Sequence, residues 1–98
     1  MAEDGTKVAP NVYRAIFEDE HARVVEVTLR PGETTALHSH PGYVVYLTQG
    51  GKVQFTTASG ETAEVELPAG AAMWRDAEDH STTNIGGTEL RAIFFEPK

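Results

Sequence analysis

Turn residues cut this chain into short lengths. Pro31-Gly32, Pro41-Gly42, Gly50-Gly51, Ala58-Ser59-Gly60, Pro68-Ala69-Gly70 and Gly86-Gly87 recur, mostly at intervals of about 8–12 residues. The pieces between them are too short for a sustained helical period, and none shows one. Several alternate instead. Over 22–29, Val25, Val27 and Leu29 fall on one side and Val24, Glu26 and Thr28 on the other. The pattern predicts strands over 12–18, 22–29, 34–40, 43–49, 52–57, 62–67, 71–75, 80–84 and 89–96. Many short strands with regular turns indicate an all-β sandwich or barrel. At 98 residues the sheets have to close over one core, so the chain reads as a single domain, 1–98. Residues 1–9 read as a loosely ordered N-terminal segment.

Composition narrows the partners. With 40% apolar and 23% charged residues the chain can bury a core. There is no cysteine, which excludes disulfides, thiolate metal sites and a thiol nucleophile. The net charge of −7 repels phosphate backbones and anionic lipid, so neither nucleic acid nor a membrane is expected as a partner. No run approaches the roughly 20 apolar residues that span a bilayer. The acidic start "MAEDGTKVAP" has no signal-peptide pattern. The expected location is the cytoplasm.

The histidines carry the functional signal. His38 and His40 are two residues apart in a predicted strand, so both rings project to one side. Facing inward, two unpaired imidazoles would be costly, and one metal ion would satisfy both. At a strand end on the surface they need no partner, and the pair alone leaves both readings open. His80 opens another strand-like run, "HSTTN", and a small barrel can bring it opposite the pair. His21 sits in the polar turn "EDEH" and is set aside.

These residues also stand in a recognisable order. Gly32, five residues, His38-x-His40 and then Gly50 resemble the first motif of the cupin family. Gly70, His80, three residues and Asn84 resemble the second, with one residue fewer before the histidine. Asp76 and Glu78 replace that motif's proline and glycine. The resemblance runs from about Val12 to Phe95. It implies a single-domain cupin double-stranded β-helix, a jelly-roll-like barrel, with His38, His40 and His80 as metal ligands.

A further family position departs. The glutamate usual three to five residues after the second histidine is absent, and Tyr43, Val44 and Val45 occupy the region. Three-histidine cupins without it include non-haem iron dioxygenases that cleave β-diketones. The resemblance therefore implies a divalent transition metal, with Fe favoured and Zn, Ni, Mn or Cu compatible. It implies a dioxygenase acting on a small oxygenated metabolite bound through two oxygens. A metal-dependent isomerase or cyclase, and a non-catalytic small-ligand-binding cupin, are the alternatives. Tyr43 is the candidate catalytic residue for the vacant place, against a role in packing alone. Gln49, Gln54, Arg23, Arg75 and Arg91 are polar groups near the expected cavity, and an inward arginine would clamp a carboxylate. Asn84 reads as a turn support. The apolar final strand "LRAIFFE" and the family's habit of pairing predict a homodimer.

Overall fold

The computed structural model describes residues 3–98. The described residues form one short helix, α1 (Gly5–Val8), followed by nine strands: β1 (Tyr13–Glu18), β2 (Ala22–Leu29), β3 (His38–His40), β4 (Tyr43–Gln49), β5 (Gly51–Thr57), β6 (Thr62–Leu67), β7 (Ala72–Arg75), β8 (Glu78–Asn84) and β9 (Leu90–Pro97). They make a five-stranded sheet, β1-β2-β9-β4-β7, and a four-stranded sheet, β3-β8-β5-β6. Every strand pairing in both sheets is antiparallel.

Alternation decides which face each strand buries. In β2, Val25, Val27 and Leu29 are buried; in β4, Tyr43, Val45 and Leu47; in β9, Leu90, Ala92 and Phe94. Val53 of β5 and Leu67 of β6 close the core from the second sheet. The chain changes sheet at Pro41-Gly42, where the inward parity passes from even numbers (His38, His40) to odd ones (Tyr43, Val45, Leu47). Gly50 allows the β4–β5 corner to pack tightly: a Cβ there would lie 2.4 Å from the Leu67 carbonyl oxygen. Asn84 is the turn support expected of it. Its Nδ2 donates to the carbonyls of Leu29 (2.9 Å) and Thr88 (2.8 Å), and its Oδ1 accepts from Gly86 N (2.9 Å).

Three expectations are corrected. The strand predicted over 34–40 is paired as a strand only from His38, because Thr34 makes a single bridge to Thr83. The loop expected over 76–79 is shorter, since Glu78 and Asp79 pair with His40 and Ser39. The N-terminal segment, outside residues 1–2, is packed rather than loose. Ser39 N donates to the Glu3 carbonyl at 2.7 Å, Asp4 caps α1 through Thr6 N, and Ala9 is buried.

Candidate metal centre

The register between β3 and β8 builds the site. His38 lies directly opposite His80, and His40 lies opposite Glu78. In an antiparallel pair such partners are about 4.5–5.5 Å apart at Cα. Two histidines from β3 and one from β8 therefore meet on the inward face. Their ring centroids are 4.6 Å (His38–His40), 4.9 Å (His38–His80) and 5.3 Å (His40–His80) apart. One donor atom from each lies within 4.8 Å of the others. His21 lies elsewhere, in the turn before β2, against Asp19.

The rings are buried and short of partners. His38, His40 and His80 are 0%, 4% and 2% exposed. His38 Nδ1 lies 2.7 Å from the Ala36 carbonyl. A carbonyl can only accept, so that nitrogen carries the proton and Nε2 keeps its lone pair. This Nε2, both ring nitrogens of His40 and Nδ1 of His80 have no hydrogen-bond partner. His80 Nδ1 is 3.2 Å from Oε1 of Glu78, outside hydrogen-bond geometry.

Aromatic rings wall the centre. Tyr13 packs 4.8 Å from His38 and 5.1 Å from His40. Tyr43 stacks on Phe94 at 4.3 Å and lies 5.3 Å from His40. Phe55 stacks on His80 at 5.1 Å. Gly5 of α1 is buried against the pair: a Cβ there would sit 3.1–3.2 Å from the rings of Tyr13, His38 and His40. A cavity of about 40 Å³ adjoins His80, lined among others by Tyr13, Tyr43, Phe55, Arg75 and Phe94.

No protein-family model and no curated protein matches the sequence. Solved structures do resemble the fold. A cupin domain from Bordetella pertussis Tohama I is 26% identical and superimposes with a TM-score of 0.80 over 89% of this chain and 92% of its own. The chain belongs to the cupin superfamily. An uncharacterized conserved protein with a double-stranded β-helix domain, from Klebsiella pneumoniae, is 18% identical at a TM-score of 0.68, over 88% and 75% of the two chains. The polyketide cyclase RemF from Streptomyces resistomycificus is 21% identical at 0.61, over 87% and 63%.

The three histidines of this cupin could hold a metal ion. Burial holds their pKa values down, to about 3 for His40 and about 4 for His80, and lowers that of His38. Near neutral pH all three are uncharged, the form that ligates. Donors bound to one ion at about 2.1 Å lie at most about 4.2 Å apart. The set, within 4.8 Å, is spread slightly wider. Burial pushes the Tyr43 phenol up to about 12, with the neighbouring Arg75 opposing the rise. It is therefore a hydrogen-bond donor at neutral pH.

The other polar candidates separate. Arg75 is the cross-strand neighbour of Tyr43 and lines the cavity. Arg23 is held by Glu96 (2.6 Å) and Asp4 (2.8 Å). Arg91 is exposed against Glu89, Gln49 is exposed, and Gln54 is part-exposed between inward Val53 and Phe55. Sequence reading missed Tyr13, Gly5 and Glu78. Only Glu78 left a signal: it stands two residues before His80 and so shares its face.

Proposed function

We propose that this cupin is a metal-dependent enzyme, dioxygenase-like in its chemistry, acting on a small oxygenated metabolite bound through two oxygens. His38, His40 and His80 are the proposed ligands. The reading is supported by three buried, neutral imidazoles beside a cavity, each offering one nitrogen within 4.8 Å of the others. A divalent transition metal, Fe first and Zn, Ni, Mn or Cu as alternatives, would supply Lewis acidity there and, as iron, a route to dioxygen. Three neutral ligands would leave its full charge to attract an anionic oxygen ligand. Tyr43 is the proposed catalytic residue, its neutral hydroxyl donating to a substrate oxygen. Tyr13, Phe55 and Phe94 exclude water.

Oxygen uptake by iron-loaded protein, with acetylacetone as a β-diketone probe, tests the reading. Uptake that depends on the probe and is lost in His38→Ala is expected. Bound iron without uptake would contradict oxygenase chemistry and leave a binding role. A second reading, a metal-dependent isomerase or cyclase, is favoured by one observation. The Glu78 carboxylate, 3.2 Å from His80 Nδ1, places a proton acceptor at the centre.

The proposed assembly is a homodimer formed through the outer face of the five-stranded sheet. Pairing aligns Phe17, Val24, Phe95, Val44 and Trp74 in one row across all five strands. Phe17, Phe95 and Trp74 are each more than half exposed, and Tyr46 of the next row nearly so. Such an apolar row on a sheet face is a surface that association would cover. Light scattering should give a dimer that Phe95→Glu converts to monomer; a monomeric parent protein would overturn it.

A further inference from the structure

A single pair of side chains stands between the barrel interior and one of its outer grooves. The 40 Å³ cavity beside His80 and an outer groove of about 290 Å³ share two lining residues, Phe55 and Arg75. The Arg75 guanidinium lies 4.7 Å over the Phe55 ring, and Phe55 stacks on His80. Arg75 Nε and Nη2 both donate to Oε1 of Glu78, at 3.1 and 2.9 Å. Both donors thus crowd onto one oxygen. A carboxylate that gives one oxygen to each would fit the guanidinium fork better. Glu78 is also easy to displace. It is three residues away along the chain, and the pair is part-exposed, at 26% and 32% for the two side chains.

No other arginine combines these features. Arg23 is already satisfied by two carboxylates, and Arg14, Arg30 and Arg91 are exposed side chains with no contact to the cavity. We propose that Arg75 is an anion-binding residue at the barrel mouth, taking the carboxylate of a small acid whose short apolar body enters the cavity beside His80. The cavity sets the size. At 40 Å³ it holds about three water-sized atoms before any side chain moves. Tyr13, Val45, Leu47 and Phe94 make its walls largely apolar, so the part that enters is hydrocarbon or weakly polar. The acid is a ligand of the barrel mouth in addition to the substrate proposed above, and the anion site itself needs no metal.

The probes are butyrate and butyramide, matched in shape and differing in charge. Each is titrated into metal-free protein, followed by the Arg75 Nε–Hε resonance. Butyrate should shift it saturably and butyramide should not. Glu78→Gln removes the competing carboxylate and should tighten butyrate about tenfold, the weight of one charge-assisted contact. Arg75→Gln should abolish saturable binding. Equal binding of the amide, unchanged binding in Arg75→Gln, or no saturable binding in Glu78→Gln overturns the site. Glu78→Gln keeps the test decisive if Arg75→Gln does not fold. Metal content measured alongside separates the two readings. Butyrate binding by a protein that takes up no metal leaves the anion site standing, and metal uptake without butyrate binding removes it.

Discussion

Acid should unfold the metal-free protein through its three buried histidines. In the unfolded chain a histidine titrates near 6.5. In the fold, burial lowers His40 to about 3 and His80 to about 4, and lowers His38 in the same direction. The unfolded state therefore binds more protons below pH 6.5, and stability falls as pH falls. Above 6.5 the contribution is complete; it drains away between 6.5 and the folded values. Each such group costs about 1.4 kcal/mol per pH unit in that window. At about pH 5 the window is entered by roughly 1.5 units, so each histidine costs about 2 kcal/mol and His40 and His80 together about 4. That is a large share of the 5–15 kcal/mol typical of a domain, and it should lower the melting temperature by roughly 20 °C. Thermal melts by circular dichroism, on chelator-treated protein at about pH 7 and about pH 5, measure it. The double variant His40→Gln/His80→Gln should lose most of the pH dependence. A melting temperature that moves by less than about 5 °C, or moves equally in the double variant, would refute the reasoning.

Other expectations follow from particular contacts. Asn84→Ala strips three hydrogen bonds around the β8–β9 turn and should cost about 2–4 kcal/mol in urea unfolding. Gly5→Val drives a side chain against Tyr13, His38 and His40. It should cost about 1–3 kcal/mol by overpacking and weaken metal retention, whereas Gly87→Ala, with open space around its Cβ, should leave retention unchanged.

Much of the fold was legible because period-2 alternation and turn residues report the same strands. The pattern over 22–29 gave β2 with its buried face correct, and 43–49 gave β4. The histidines were legible because i and i+2 share a face in any strand. Their meeting with His80 needed the β3–β8 register, which the resemblance implied and alternation alone did not. Helix α1 was not legible. Four residues carry no period, and the segment is held by contacts to Ser39, His38 and Arg23, far away in sequence. Glu78 was read as a loop residue standing in for a motif glycine; pairing with His40 makes it a strand residue at the site. Nor could sequence rank the arginines. Arg23 and Arg75 are both part-buried, but Arg23 is closed by two carboxylates, whereas Arg75 has one and lines the cavity.

The central claim is that three imidazoles form one metal centre. Its most direct test is element-resolved metal content per chain, in protein made without added metal, for the parent chain and His80→Ala. The parent should carry close to one transition-metal ion per chain, lost in the variant. Equal metal in both, or none in the parent even after incubation with Fe, Zn, Ni, Mn or Cu, would contradict it.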